Sequence, residues 1–254
     1  MTLQSQMTPR REQAERLRGY FELQLIVATR IAEAASLTLS DACLRFTNLH
    51  RRFGMGRAWD GVGAPEWPRY AIPLERMPSI GERLEWTLAF FAEAPPDPAS
   101  APVFGCFRFD PPDEDGAVRI HFSNRDSADG VGPLARDKSG RRLAELAQMC
   151  AHLRARYPAA ARIQGGSWLY NLDAYCRLFP PDYIASRAPP DTVRLDGTST
   201  WGQALDHREQ VKPGVRRHLL EALDDLDPAA PWRIFPMRAL KTTAPIETFH
   251  RFYG

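Results

Sequence analysis

The segment with the most distinctive chemistry is a basic stretch that leads into a predicted helix. Arg136 and Lys138 precede the helix, and Arg141 and Arg142 fall within its first turn, with Asp137 as the opposing charge. A helix N-terminus carries a partial positive charge and disfavours cations by about 0.3–1 kcal/mol each. A bound anion would relieve this repulsion, because backbone N–H groups and guanidinium groups would all point at it. The stretch therefore predicts an anion site.

Two glycines upstream of this helix would let a ligand approach the backbone closely. Gly130 and Gly132 lie in the segment RDSADGVGPLARDKSG, and glycine adopts backbone conformations that other residues avoid. Two alternatives stay open. In the first, the arginines simply point into solvent. In the second, an internal carboxylate such as Asp126 or Asp129 supplies the negative charge.

A second candidate site is the segment GGSWLYN, residues 165–171, at the end of a predicted strand. Paired glycines permit a bulge or a close approach of a ligand. Tyr170 could act as a general acid, and Trp168 could stack on a ring. In the alternative interpretation the two aromatic residues belong to the core and Asn171 caps the next helix.

The clearest hairpin joins PVFGCFRFD to AVRIHFSN through the turn PPDEDG. Alternation of apolar and polar residues predicts that Phe109 pairs with Val118 and Phe107 with Ile120. The buried face would then carry Phe107, Phe109, Val118, Ile120 and Phe122, and the opposite face Cys106, Arg108, Arg119 and His121. On that face a Cys106–His121 pair would be a candidate nucleophile. The arginines also favour a nearby anion or carboxylate, since like charges on neighbouring strands repel.

Composition excludes several classes of protein. The chain has 254 residues, of which 44% are apolar and 25% charged, so a largely disordered chain is excluded. The net charge of +2 excludes a strongly basic nucleic-acid coat, and the basic run RFTNLHRRFGMGR more often forms a solvated helix face than a nucleic-acid site. Four cysteines without a C-x-x-C pair, and histidines without metal-binding spacing, predict no metal. An N-terminus without an apolar core predicts a cytoplasmic protein without a membrane partner.

The pattern of elements predicts an α+β fold. Helices are expected at about 10–36, 40–53 and 79–93, with an ordered loop over residues 57–80. After residue 102 come the hairpin, a helix at about 140–157, a strand at ARIQGGSW and a helix at NLDAYCRLF, with a further strand at DTVRL. We therefore expect a helical N-terminal region, 1–98, followed by an α/β region, 99–254, with a mixed β-sheet and flanking helices. The two regions are expected to pack as one domain.

Residues 102–180 resemble the core of the GNAT-type N-acyltransferases in the order of their elements. The usual motif of that family, Gln/Arg-x-x-Gly-x-Gly/Ala, is matched by Arg125, Gly130 and Gly132, with two extra residues after the arginine. Family members often carry Asn and, three residues later, Ala in the following helix, and Asn171 and Ala174 match that spacing. The usual Gly-Phe that ends this pattern is replaced here by two prolines and an aspartate, at 180–182.

The resemblance implies an enzyme that uses acyl-CoA. Backbone amides of the glycine loop would hold the pyrophosphate of the donor. A tyrosine of the helix that follows, Tyr170 or Tyr175, would protonate the leaving thiolate. The long helical N-terminus lies outside the resemblance.

The leading hypothesis is a soluble acyltransferase-like enzyme that uses an acyl-CoA or another phosphate-bearing acyl donor. It needs no tightly bound cofactor. His121 would take a proton from the acceptor amine, and the anion would be bound by Arg125, Gly130, Gly132, Arg141, Arg142 and Asn171. The first alternative is a non-catalytic binding or assembly protein that recognises an anionic ligand, a peptide or a carrier protein. The second is an enzyme that depends on Cys106 and His121.

Overall fold

The computed structural model describes residues 9–56, 65–95 and 102–254. The fold is α+β, as the sequence predicts, with a five-stranded mixed sheet. The chain forms two compact units. A helical unit comprises the described residues of Met1–Pro98 together with Thr192–Pro236, and a sheet unit comprises those of Ala99–Asp191 together with Met237–Gly254. Residues 192–236, which the sequence assigned to the α/β region, thus lie in the helical unit.

The helical unit is built from amphipathic helices around an apolar core. Their bounds are α1 Pro9–Arg16, α2 Arg18–Ala35, α3 Leu39–Phe46, α4 Leu49–Arg52, α5 Trp67–Arg76, α6 Ile80–Glu93, α10 Thr198–Gly202 and α11 Pro213–Ala222. Local chemistry fixes several ends. Ser79 and Glu82 form a reciprocal capping box at the start of α6, and the Thr38 side chain accepts the Asp41 N–H in α3. Ser36, in the left-handed conformation, ends α2.

Two predictions about this unit are wrong. The predicted loop at 57–80 contains helix α5, because Pro68 suits a first turn and Trp67, Tyr70 and Leu74 bury one helical face. Its first part, residues 57–64, lies outside the described residues. The predicted strand DTVRL is irregular, and within it Leu195 donates its N–H to the Arg45 carbonyl at 3.0 Å. Leu195 packs among helices rather than strands.

A buried histidine makes the stability of the helical unit depend on pH. The His50 side chain is 2% exposed, and its Nε2 lies 4.0 Å from Oδ2 of Asp196. Burial, reinforced by the charge of Arg51, lowers the pKa of His50 to about 4. An unfolded histidine titrates near 6.5. Between these two values the unfolded chain binds a proton that the folded chain does not, so stability falls as the pH drops below about 6.5.

We expect the free energy of unfolding to fall by about 2–3 kcal/mol more in the native chain than in His50→Gln between pH 7 and pH 4.5. Urea titrations of both proteins at the two pH values measure this difference. Carboxylates that titrate in the same range contribute equally to both chains and cancel. Equal losses of stability in the two proteins would show that His50 does not stay neutral in the folded state.

The sheet unit places five strands in the order β1-β2-β3-β4-β5. Their bounds are β1 Val103–Phe104, β2 Phe107–Asp110, β3 Ala117–Phe122, β4 Arg162–Ser167 and β5 Leu240–Pro245. The pair β3 and β4 runs parallel, and the other neighbouring pairs run antiparallel. The helices of this unit are α7 Ser139–Arg156, α8 Asp173–Cys176, α9 Pro181–Ala185 and α12 Ile246–Tyr253.

One face of the sheet forms the core of this unit, as the alternation predicts. Phe107, Phe109 and Val118 are fully buried, and Ile120 is nearly so. Helix α7 covers them with Leu146, Met149, Cys150 and Leu153. The opposite face carries polar side chains, because successive strand residues point to opposite sides.

The predicted hairpin register is wrong by two residues, although Phe107, Phe109, Val118 and Ile120 do share the buried face. The structure pairs Phe109 with Ile120 and Phe107 with Phe122. The reason lies in the turn. Asp113 accepts the Ala117 N–H on its carboxylate and donates its own N–H to the Ala117 carbonyl, at 2.8 and 3.1 Å. Those bonds use both backbone polar groups of Ala117, so β2 pairs with the later residues of β3, Arg119 to Phe122.

The prediction that Cys106 lies on the polar face is wrong, because the segment predicted as one strand forms two strands, β1 and β2. A two-residue turn of Gly105 and Cys106 joins β1 to β2, and Gly105 takes a positive φ of 59°. A residue in a turn escapes the alternation of a strand. Cys106 is consequently buried, at 1% exposure.

Candidate functional site

The parallel strands β3 and β4 stop pairing with each other before either strand ends. Their ladder joins Ala117–Arg119 to Arg162–Gln164. Strand β3 then runs on to Phe122 and β4 to Ser167, without pairing with each other. We call the space between these two carboxyl ends the β3/β4 gap. The carboxyl ends of parallel strands are where α/β sheets commonly bind ligands.

His121 and Gly166 border this gap on the polar face of the sheet. Arg119 and Gln164 are directly paired, and His121 and Gly166 follow two residues further along each strand, so all four share one face. A methyl group added at Gly166 would have no neighbour within 4 Å. The border of the gap therefore offers both open space and an imidazole.

His121 is close to a carboxylate on the neighbouring strand. Its Nε2 lies 2.9 Å from Oδ1 of Asp110, and the two side chains are 29% and 39% exposed. The register places Arg108 directly opposite His121 and Arg119 directly opposite Asp110. The polar face thus combines two arginines, a carboxylate and a histidine.

The arginines at the start of α7 form ion pairs with carboxylates of the protein itself. Arg142 is 1% exposed, and its Nη2 lies 2.8 Å from Oδ2 of Asp126 and 2.7 Å from Oε1 of Glu145. Its Nη1 contacts the sulfur of Cys106. Arg141 is exposed and reaches the same Asp126 oxygen at 3.0 Å. Of the alternatives that the sequence left open, the structure therefore has the internal carboxylate.

Lys138 is neutralised in the same way and orders the glycine loop. Its buried Nζ donates to Oδ1 of Asp129 at 2.9 Å and to the carbonyls of Asp126 and Val131 at 2.9 and 3.0 Å. The hydrogen bond from Lys138 lowers the pKa of Asp129, and the same bond raises the pKa of Lys138. Lys138, Arg141 and Arg142 thus face Asp126, Asp129 and Glu145, so this cluster carries no excess charge for an anion.

The remaining predicted anion-binding residues of this loop are exposed. Arg125, Gly130 and Gly132 all lie on the surface. Gly130 takes a positive φ of 78°, and an added methyl group at either glycine would meet nothing within 4 Å. The loop thus presents backbone to solvent, while the arginine side chains of α7 turn inward or pair with Asp126.

The two candidate tyrosines lie in the core of the sheet unit. Tyr170 and Tyr175 are 1% and 2% exposed. The phenol oxygens of Tyr170 and Tyr183 are 2.7 Å apart in a buried hydrogen bond. Burial raises the pKa of Tyr170. The core interpretation of these side chains fits their positions, and their role as proton donors stays a prediction.

Asn171 lies at the surface and does not cap the next helix. Its Nδ2 donates to the carbonyls of Trp168 and Arg238 at 2.7 and 2.9 Å. Leu172 precedes α8, and no side chain caps that helix. Ser167 instead caps a 3-10 turn over Trp168–Asn171, where its hydroxyl accepts the Leu169 N–H at 3.1 Å. Asn171 therefore connects the end of β4 to the segment that leads into β5.

Cys106 and His121 have different partners. The Cys106 N–H donates to Oε2 of Glu145 at 3.0 Å, its thiol contacts Arg142, and burial raises the pKa of the thiol. A raised pKa lowers the thiolate fraction that a nucleophile needs. His121 is paired with Asp110 instead.

Sequence reasoning missed three residues of this region. Glu145 had a signal, because it lies three positions after Arg142 on one helix, a spacing at which charges pair. Gly165 had one in the double glycine, since a methyl group there would overlap the phenol oxygens of Tyr170 and Tyr183. Asp110 had none, because its contact with His121 depends on the observed register.

Comparison with known proteins gives no further guide. No family model matches the sequence, and no curated protein and no solved structure matches it. Among the helices of the described ranges, none combines the length and the apolar character that a membrane crossing needs. Within the same ranges, no group of three or more His, Cys, Asp or Glu side chains is placed to hold a metal ion.

Proposed function

We propose that the protein is a cytoplasmic acyltransferase with a GNAT-like core that uses an acyl-CoA or a related phosphate-bearing acyl donor. The observation that carries the proposal is the β3/β4 gap. The glycine loop and the start of α7 follow β3 in the chain and precede β4. The antiparallel β1-β2-β3 order and the parallel return of β4 after α7 also support it.

The charged end of the donor would be held by backbone rather than by arginine side chains. Arg142 and Lys138 are buried and neutralised, and Arg141 shares Asp126 with them. The N–H groups of Gly130 and Val131 already donate to the Ser127 carbonyl and to Oδ1 of Asp129, both at 3.0 Å. The donors for a pyrophosphate would therefore be the Gly132 N–H and those at the start of α7. Arg125 is exposed beside this loop and would add its charge.

The thioester would lie in the β3/β4 gap, between His121 and Gly166. His121 would take the proton of the attacking amine. Tyr170 or Tyr175 would protonate the leaving thiolate, and because both phenols lie in the core, a ring movement or a water molecule would have to carry the proton to the polar face. Asn171 would hold the turn after β4 through its bonds to two carbonyls. General acid–base help of this kind contributes typically about 10²–10⁴-fold to a rate.

A thermal-shift screen with coenzyme A, acetyl-CoA, ATP, NAD and inorganic phosphate tests the proposal. A ligand at about 100 times its Kd stabilises the fold by about 2.7 kcal/mol, which raises the Tm by several degrees. We expect a rise with coenzyme A and acetyl-CoA and none with phosphate. An equal response to every phosphate compound would reduce the site to a general anion site. No response to any of them would contradict the proposal.

A second candidate function is a non-catalytic binding or assembly protein. The internal neutralisation of Arg142 and Lys138, together with the buried tyrosines, favours it. Its partner would be an anionic small molecule, a peptide or a carrier protein on the polar face of the sheet. It predicts that acetyl-CoA is never turned over, with any amine as acceptor.

A further inference from the structure

His121, a candidate catalytic residue, lies next to the carboxylate of Asp110 on the neighbouring strand. Asp110 is on β2 and His121 on β3, and they are diagonal neighbours on the polar face because Asp110 pairs with Arg119. Oδ1 of Asp110 and Nε2 of His121 are 2.9 Å apart. The contact is not an aligned hydrogen bond, since Nε2 has no partner by that criterion. Catalytic hydrogen bonds often align only when substrate binds.

The two nitrogens of this imidazole have different surroundings. Nε2 is buried, whereas 29% of the side chain is exposed. Since the buried Nε2 faces Asp110, the exposed fraction of the side chain leaves Nδ1 as the candidate base. A carboxylate next to one nitrogen favours the tautomer with the proton on that nitrogen and leaves a lone pair on the other.

We propose that Asp110 is a positioning residue for His121: it keeps the proton on Nε2 so that Nδ1 acts as the base toward the acceptor. The proposal rests on the function proposed above. Arg108, opposite His121, and Arg119, opposite Asp110, are the charged groups that the strand register places beside the pair. Glycine at 166 leaves the β4 side of the gap open.

The proton balance of the step is simple. The amine nitrogen forms a bond to the thioester carbonyl carbon, and Nδ1 of His121 takes the amine proton. The carbon–sulfur bond then breaks, and its electron pair goes to the coenzyme A sulfur. A proton, from Tyr170, Tyr175 or water, neutralises the thiolate. His121 then releases its proton to solvent, and a tyrosine that has donated takes one proton back from solvent, so that both residues return to their starting states.

Nitrogen-15 NMR of the histidine side chains in the full chain tests the positioning role directly. The spectrum distinguishes the two neutral tautomers, and a His121→Gln variant assigns the signal. We expect His121 to carry its proton on Nε2 in the native chain and to become a mixture of tautomers in Asp110→Ala. Asp110→Asn, which keeps the size of the side chain, serves if the alanine variant does not fold. An unchanged tautomer in both variants would overturn the proposal.

Release of coenzyme A from acetyl-CoA, in the presence of a panel of primary amines, gives the second measurement. Loss of Asp110 is expected to lower kcat by about 10²-fold or more while KM for acetyl-CoA changes little. Asp115→Ala removes an equally charged carboxylate that is 81% exposed, and it is the matched control. A KM effect without a kcat effect would also overturn the proposal.

The two measurements separate failure of this proposal from failure of the proposed function. An unchanged tautomer with active acyl transfer overturns the role of Asp110 alone. The expected change of tautomer without any turnover of acetyl-CoA supports the positioning role and overturns acyl transfer.

Discussion

Replacing Arg142 with methionine is expected to lower the free energy of unfolding by about 3–5 kcal/mol, because it leaves the Glu145 carboxylate without its buried counter-charge. Asp126 loses one of its partners and keeps Arg141 and Lys138. Arg142 is 1% exposed and bridges Asp126 and Glu145 at 2.8 and 2.7 Å. Methionine fills a similar volume, so the loss reports the missing charge and not a cavity. Urea unfolding monitored by circular dichroism measures it.

Arg141→Met is the matched control. Arg141 is the neighbour of Arg142, reaches the same Asp126 oxygen, and is 64% exposed. Exposed ion pairs contribute about 0–1 kcal/mol, so this variant should stay close to the native chain. Equal effects of the two substitutions would show that Arg142 is not the buried centre of the cluster. Stronger binding of phosphate by the native chain than by Arg141→Met would show that Arg141 is an anion ligand after all.

Replacing Gly165 with alanine is expected to destabilise the sheet unit by about 2–4 kcal/mol, because the new methyl group overlaps two buried phenols. An added Cβ would meet the hydroxyl oxygens of Tyr170 and Tyr183, which are hydrogen-bonded to each other at 2.7 Å. The backbone of β4 and both ring positions are fixed by packing, so the overlap is relieved only by moving a ring and weakening that bond. Thermal and urea unfolding measure the loss.

Gly166→Ala is the control for this effect. It is the adjacent residue in the same strand, and a methyl group there meets nothing within 4 Å. Alanine in a strand is favoured over glycine by up to about 1 kcal/mol, so this variant should be neutral or slightly more stable. If both alanine variants lose the same stability, the cost belongs to the strand backbone and the tyrosine contact is not its cause.

The alternation of the hairpin predicted that Phe107 and Phe109 are buried, because that depends only on a period of two; Phe122, predicted on the same face, is partly buried. It could not predict the register, which the Asp113 bonds to Ala117 shift by two residues. Nor could it show that Gly105 and Cys106 form a turn, since the apolar run PVFGCFRFD alternates through them. The position of Cys106 was therefore predicted wrongly.

The basic segment before α7 illustrates why a candidate site is harder to predict than a fold class. The sequence showed an excess of positive charge at a helix start, and that excess needed a negative partner. Whether the partner is a ligand or Asp126 depends on the path of the loop in three dimensions. Residues such as Asp110 and His121 meet only after the register is fixed, so their contact has no signal in the order of residues.

Isothermal titration of the native protein and of Gly166→Trp with coenzyme A tests the central claim most directly. Gly166 borders the β3/β4 gap and has open space beside it, so tryptophan would fill the gap without disturbing the core. The account predicts that the native chain binds one coenzyme A and that Gly166→Trp, with an unchanged Tm, loses at least 10-fold in affinity. No binding by the native chain, or equal binding by a folded Gly166→Trp, would contradict the account.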